Sequence, residues 1–190
     1  MSFWNATRDK FARRSTVRAT SVPLGYPQAL RSVPKSGPVL DRLEAYWYGY
    51  RTGLSGLEDL GATDEKIASF ERTHSVNLPD DLRNYLLRLN GIDADPQLFC
   101  FWPIEKIIPI SPDSFGMDRA IVELDEPHRY FIFADFLIES HYYAIYLGDD
   151  ANRQYRVILP DFPNQPAIAS SFSDFLELYL EDHPRIFGNG

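Results

Sequence analysis

With 190 residues, 44% of them hydrophobic and 24% charged, the chain is predicted to form one soluble globular domain with an extension. Its apolar runs end well before the ~18 residues that a membrane span needs, which argues against a membrane protein. The net charge of −8 repels phosphate backbones, which argues against nucleic acid as the partner of the main domain.

The N-terminal part, residues 1–55, is predicted to be a basic extension, and residues 56–190 the main domain. The opening lacks the apolar core of a secretory signal; its Arg, Ser and Thr content leaves an organellar presequence as the alternative to a short helix docked on the core through Phe3, Trp4 and Phe11. Four prolines between residues 21 and 40 forbid a regular element and indicate an extended strap.

The segment "DRLEAYWYGYR" has the spacing of a helix with one buried face, formed by Leu43, Tyr46, Trp47 and Tyr50. Asp41 is placed to cap that helix. A second helix is expected to begin at Thr63, whose hydroxyl can accept from free backbone amides.

A third helix is indicated by "LPDDLRNYLLRLNG", residues 78–91. Pro79 suits the first turn, where its missing N–H has no cost, and Asp80 and Asp81 complement the helix dipole. Gly91 can adopt the left-handed conformation that ends a helix. A last helix is expected at "SSFSDFLELYLED", where Ser171 and Asp174 have the spacing of a capping box.

Between these helices the pattern is that of extended chain. Short runs rich in aromatic and β-branched residues, separated by turn residues, predict five strands: "LFCFW", "EKIIPI", "RYFIFAD", "HYYAIYLG" and "YRVIL". The last two runs are predicted to form a hairpin, and no helix-length crossover separates any of the strands. The predicted fold class is therefore α+β, with a central antiparallel sheet of about five or six strands packed by helices.

No motif for catalysis or for a cofactor stands out. The histidines are scattered, Asp93 and Asp95 lack the rest of a calcium loop, and no glycine-rich phosphate loop follows a strand. We therefore predict no metal, cofactor or catalytic residue. The strongest acid/base set is His141 with Glu139 and Asp135, for which a solvated turn is the favoured alternative.

The single cysteine, Cys100, lies within "LFCFW" and cannot form an internal disulfide. A small buried thiol is the favoured interpretation, with a nucleophile as the alternative. Because nothing indicates dependence on an oxidising compartment, we expect a cytoplasmic protein.

Acidic residues dominate the body of the chain. Residues 51–190 hold 11 Lys and Arg against 24 Asp and Glu, a net charge of −13, whereas residues 1–50 hold 8 against 3, a net charge of +5. One sign of charge at this density steers a basic protein partner. The predicted partner-binding set comprises these acids with two aromatic anchors: Asp93, Asp95, Trp102, Asp135, Glu139, Tyr142, Asp149 and Asp150.

One known family shares several of these features. The stretch "IASFERTHSVNLPDDLRNYLLRLNG", with its Glu71, Leu78-Pro79 and Asn90-Gly91, is followed by short aromatic strands and closed by "IASSFSDFLELYLED". In this order the pieces resemble the SMI1/KNR4 family, also called the SUKH superfamily, over about residues 60–182. Residues 1–55 have no counterpart in that pattern.

The resemblance implies an α+β fold with a central antiparallel sheet. It also implies a non-enzymatic protein, since bacterial members are mostly immunity proteins that neutralise a cognate toxin, often a nuclease, and fungal members are regulatory interaction proteins. The leading hypothesis is an immunity protein whose partner is a basic toxin. The alternatives are a regulatory or scaffold module of a larger complex, using the basic residues 1–50 as a second contact, and an enzyme using His141.

Overall fold

The computed structural model describes residues 35–51, 61–93, 95, 98–111, 124–160 and 166–187. The predicted contacts of Phe3, Trp4 and Phe11 and the proline-rich strap up to residue 34 lie outside these residues, as does the predicted boundary at residue 55.

Along the described chain three α-helices come first, five strands follow, and one α-helix comes last. The helices are α1 (Val39–Arg51), α2 (Asp64–His74), α3 (Asp80–Arg88) and α4 (Phe172–Leu180). The strands are β1 (Phe99–Phe101), β2 (Ile108–Pro109), β3 (Tyr130–Phe136), β4 (His141–Tyr146) and β5 (Val157–Ile158). Short 3-10 helices precede β3 and follow α4, at Pro127–Arg129 and Pro184–Phe187.

The strands form one antiparallel sheet in the order β1-β3-β4-β5, with β2 also paired to β3. β1 lies opposite residues 134–136 of β3 and β2 opposite residues 131–132, so both occupy the same edge of that strand. The register shifts between Ile132 and Ala134, which marks an irregularity at Phe133. The predicted α+β class and the β4–β5 hairpin are both confirmed.

The helices cover one face of this sheet through aromatic side chains. Phe175 of α4 has its ring centroid 5.2 Å from that of Phe133 and 5.2 Å from that of Tyr143. Trp47 of α1 lies 5.2 Å from Phe101 of β1 by the same measure. Such rings bury large apolar areas and add a small edge-to-face attraction, so they hold the helices on the sheet.

The ends of the helices agree with the sequence in part. Thr63 and Ser171 cap α2 and α4, since their hydroxyls accept from the backbone N–H of Lys66 at 3.3 Å and of Asp174 at 3.0 Å. Asp41 does not cap α1, because that helix begins two residues earlier and the Asp41 carboxylate instead pairs with Arg88 at 2.8 Å.

The third helix begins one residue later than predicted. Pro79 is its N-cap residue, in extended conformation, and the helical residues start at Asp80. At its other end Asn90 and Gly91 both have left-handed backbones, with φ of 42° and 93°. The predicted conformation of Gly91 is therefore confirmed, and Asn90 shares it.

A buried hydrogen-bond network joins α1 to the rest of the domain. The Trp47 indole N–H donates to the Tyr179 hydroxyl at 3.2 Å, and that hydroxyl donates to the Asp95 carboxylate. Asp95 also accepts from the backbone N–H of Phe99 at 2.8 Å. Burial, followed by the Asp95 charge, raises the pKa of Tyr179 well above its usual value. Helix α1 is thus part of the core, although it precedes the predicted boundary at residue 55.

Candidate protein-binding surface

The family-like motif residues have structural roles. The Glu71 carboxylate accepts from the backbone N–H of Leu78 at 2.9 Å and from the Arg83 guanidinium at 2.5 Å. It therefore fixes the turn between α2 and α3, which explains why a glutamate stands seven residues before the Leu-Pro pair. These contacts are those of a residue that stabilises the fold.

The Asn-Gly pair after α3 is equally structural. The Asn90 side-chain oxygen accepts from the backbone N–H of Ile104 at 2.9 Å. A Cβ at position 91 would lie 2.6 Å from the backbone oxygen of Phe101, so only glycine lets α3 approach the chain after β1 this closely.

Half of the predicted partner-binding set lies in the interior. The relative exposures are 2% for Asp95, 1% for Trp102, 3% for Asp135 and 5% for Tyr142. In this structure these side chains are not presented to a partner. Asp93, Glu139 and Asp149 are exposed and Asp150 is half-buried, so any role in binding falls to those four.

Two of the interior residues form a polar contact beneath the surface. The Trp102 indole N–H donates to the Asp135 carboxylate at 2.6 Å, and the rings of Trp102 and Tyr142 pack edge to face at 6.1 Å. The Lys106 ammonium lies 4.2 Å from the centre of the Trp102 ring and 3.9 Å from the same carboxylate. These aromatic residues are therefore supports for the surface above them and not its anchors.

The alternative acid/base set of the sequence is not assembled. Across the β3–β4 ladder Asp135 stands opposite Tyr142, whereas His141 stands opposite Phe136 and stacks on its ring at 6.4 Å. Adjacent strand residues point to opposite faces of a sheet, so the side chains of Asp135 and His141 diverge. Asp135 instead accepts from Trp102 and from the backbone N–H of Glu139.

The turn between β3 and β4 has an unusual backbone conformation. Leu137, Ile138 and Glu139 have three successive left-handed backbones, with φ of 52°, 55° and 64°, and Leu98 beside them has a φ of 67°. Such conformations are strained for residues other than glycine, most of all for a β-branched one. We call the exposed group formed by these four residues and Asp93 the tip surface.

Apolar side chains are displayed on the tip surface. Leu98 is 46% exposed, Leu137 41% and Ile138 76%, and within the described residues these are the exposed large hydrophobic side chains. None of the three is among the predicted site residues. The signal for Leu137 and Ile138 is "FLIES", where two aliphatic residues occupy a hairpin bend that normally takes Gly, Asn or Asp.

A depression of about 210 Å³ lies at the tip surface, with Cys100, Lys106 and Asp135 among its lining residues. Burial, together with the charge of Asp135, raises the pKa of the Cys100 thiol to about 12. This thiol is therefore protonated at neutral pH, which disfavours a nucleophile; the predicted buried thiol is half-buried in the structure.

The other two predicted acids lie at the opposite end of β4. There Arg153 pairs with Asp150 at 2.8 Å, with Glu126 at 2.7 Å and with Asp125 at 3.2 Å. Its guanidinium also lies 4.7 Å from the centre of the Tyr146 ring. We call these five residues the Arg153 cluster; Asp149 borders it and is exposed.

A larger cleft, of about 490 Å³, lies between α4 and the segment before it. Its charged residues are of both signs, Arg156 and Arg185 with Asp174 and Glu177. Glu177 pairs with Arg42 of α1, and Arg185 donates to the backbone oxygen of Ala167 at 3.2 Å. These contacts join chain segments, so the cleft has the character of a packing seam.

The described residues also bear on metal binding and on membrane insertion. They contain no group of three or more His, Cys, Asp or Glu side chains placed to hold a metal ion. None of their helices combines the length and the apolarity required to cross a membrane.

Comparison with known proteins gives one match. Neither the curated proteins nor the solved structures include a significant relative. The sequence model of the SMI1/KNR4 family (SUKH-1) matches residues 61–178, which is more than half of the chain and spans α2 to the greater part of α4. The Glu71, Leu78-Pro79 and Asn90-Gly91 features lie inside the matched range. The chain therefore belongs to the SMI1/KNR4 (SUKH-1) family.

Proposed function

We propose that this chain is an immunity protein: a non-enzymatic, cytoplasmic protein that binds a toxin with a basic surface and thereby blocks it. The observation that carries the proposal is membership of a family that includes immunity proteins. A nuclease toxin fits best, because a protein that holds nucleic acid needs a positive surface.

Charge supports the same conclusion. Residues 51–190 carry a net charge of −13, which attracts a basic toxin over long range and raises the rate of association. An inhibitor that covers the positive surface of a nuclease also excludes its substrate.

Of the exposed residues of the predicted set, the two offered to the toxin are Asp93 and Glu139, which lie together at the tip surface; Asp149 lies at the opposite end of β4. Asp150 is unsuitable for a charge-reversal test, since it accepts from the backbone N–H of Asn152 at 2.9 Å and holds Arg153. Reversing its charge would disturb the turn as well as the surface.

The test is toxicity and rescue. The tagged chain is used to capture partners from its own organism at low and moderate salt, and each captured protein is expressed alone and together with this chain. We expect one basic partner that stops growth when expressed alone and is harmless in the presence of the chain. Capture of partners that are harmless alone would refute the immunity function.

A regulatory module of a larger complex is the second candidate, favoured by the charge of the N-terminal segment. Residues 1–34 hold 6 Lys and Arg against 1 Asp, so 6 − 1 gives +5. The deletion that tests it must stop at residue 34, because α1 buries Leu43, Tyr46 and Trp47 in the core. Loss of several non-toxic partners on that deletion, with unchanged folding, would favour this candidate.

A further inference from the structure

We infer that the tip surface is the contact surface for the basic partner and that Ile138 is its central anchor, seated in an apolar pocket of that partner. The inference rests on the proposed function in one respect: the bound partner is the same basic protein. It adds which surface of this chain holds that partner, and by which side chain.

The first argument is the distribution of exposed apolar side chains. A folded protein shows scattered single aliphatic residues at its surface, whereas a cluster marks a contact site. Leu98, Leu137 and Ile138 account for the exposed large hydrophobic side chains of the described chain, and all belong to the tip surface. Ile138, at 76% exposed, stands furthest into solvent.

The second argument is that hydrogen bonds fix the turn that carries these apolar side chains. The backbone N–H of Leu137 donates to the backbone oxygen of Leu98 at 3.1 Å, which fastens the turn to the residue before β1. The Ser140 hydroxyl donates to the Leu137 backbone oxygen at 2.7 Å, and the Glu139 N–H donates to the Asp135 carboxylate at 3.0 Å. A surface fixed before binding loses less conformational entropy when the complex forms.

The third argument is the charge around the apolar centre, which selects the occupant. The depression at the tip surface is lined by three carboxylates, Asp93, Asp135 and Glu139, and by one cation, Lys106, so −3 + 1 gives a local charge of −2. Neither Asp93 nor Glu139 makes an ion pair with another described residue. An apolar centre with an acidic rim complements an apolar pocket with a basic rim.

The test uses light-activated crosslinking in cells of the source organism. The full chain carries Ile138→p-benzoylphenylalanine in one strain and Asn152→p-benzoylphenylalanine in another. Asn152 is exposed on the β4–β5 turn beside the Arg153 cluster, so it reports on the opposite end of the sheet. Crosslinked products are identified by mass spectrometry and their isoelectric points are taken from their sequences.

We expect a basic protein to be crosslinked from position 138 and not from position 152. Ile138→Asp should weaken binding of that same purified protein roughly tenfold or more, as for a central hot-spot residue, while Ile138→Leu should bind as the wild type does. Both variants replace an exposed side chain, and unchanged thermal unfolding of each would show that the fold is intact.

Several results would overturn the inference: a crosslink from position 152 instead of 138, equal crosslinking from both, a product of twice the chain's mass, an acidic partner, or no product. The toxicity of the crosslinked protein decides the proposed function separately. A basic partner held at position 138 that is harmless when expressed alone would uphold the tip surface and refute the immunity function.

Discussion

The two ends of the β3–β4 ladder are both acidic, and they use their charge differently. In the Arg153 cluster one guanidinium pairs with Asp125, Glu126 and Asp150. Each carboxylate of the cluster therefore has a cationic partner within the chain. At the tip surface Asp93 and Glu139 surround exposed aliphatic side chains and make no ion pair with another described residue. The Arg153 cluster therefore has the contacts of a stabilising ion-pair group, and the tip surface is the end that we propose for partner contact.

A count of acidic residues along the sequence does not show which carboxylates are available to a partner. Residues 91–150 hold 12 Asp and Glu against 3 Lys and Arg, a net charge of −9. Arg153, which forms ion pairs with three of these carboxylates, lies just outside that window. Whether a carboxylate is available to a partner depends on its neighbours in space, which the linear density does not reveal.

The largest expected effect comes from removing the cation of the Arg153 cluster. Arg153→Met should lower the free energy of unfolding by about 2 kcal/mol, because it deletes three partly exposed ion pairs and a contact with the Tyr146 ring and leaves the carboxylates to repel one another. Urea unfolding measures the change. Added salt should reduce it, since screening weakens both the lost attraction and the new repulsion.

The matched control is Arg156→Met, which removes an exposed arginine from the same hairpin. This variant should unfold within about 0.5 kcal/mol of the wild type. Equal effects of the two substitutions would show that the Arg153 cluster contributes no more than general surface charge, and the contrast between the two ends would fail.

Much of the fold could be predicted from the sequence, because local chemistry determined it. The apolar spacing of α1 and α4, the caps at Thr63 and Ser171, and the aromatic strand runs all specify structure within a few residues of themselves. The error at Asp41 came from a long-range contact. Asp41 looked like a cap, but its carboxylate pairs with Arg88, which is distant in sequence.

The exposure of the candidate site residues could be predicted less well, because it depends on long-range contacts. Residue type alone predicts Trp102 and Tyr142 as anchors, whereas both are buried: Trp102 donates to Asp135, and Tyr142 stands opposite Asp135 across the β3–β4 ladder. Ile138 is not predictable in this way, because an aliphatic residue in a left-handed turn is rare and no rule of turn chemistry expects it. This residue, which breaks the local rule, is the most exposed large hydrophobic side chain among the described residues.

The second prediction concerns the strain at the tip surface. Ile138→Gly should raise the free energy of unfolding by about 0.5–1 kcal/mol, because glycine adopts a left-handed backbone without the steric cost of a β-branched side chain. Little burial is lost, since Ile138 is mostly exposed. The same variant should weaken partner binding, so stability and binding would change in opposite directions at this one position.

Ile158→Gly is the control for that gain. Ile158 lies in strand β5, where glycine loses packing and gains unfolded-state entropy, so this variant should be less stable than the wild type. A loss of stability in both variants, measured by urea unfolding, would mean that the left-handed turn stores no strain and that the tip surface is ordinary in its backbone.

The last effect depends on pH and differs in sign between the two ends. At the Arg153 cluster the Tyr146 hydroxyl, with Arg153, lowers the pKa of Glu126, so that end loses stability as pH falls. At the tip surface the Cys100 pKa is raised from 9.0 to about 12, so the folded state holds a proton that the unfolded chain releases first. That contribution is complete below about pH 9 and is lost as pH rises toward 12.

Cys100→Ala should therefore lose less stability than the wild type between about pH 8 and 11, with the tyrosines contributing equally to both. The measurement is the free energy of unfolding of both proteins across this range. If the two free energies change equally with pH, burial and the Asp135 charge do not raise the pKa of the Cys100 thiol.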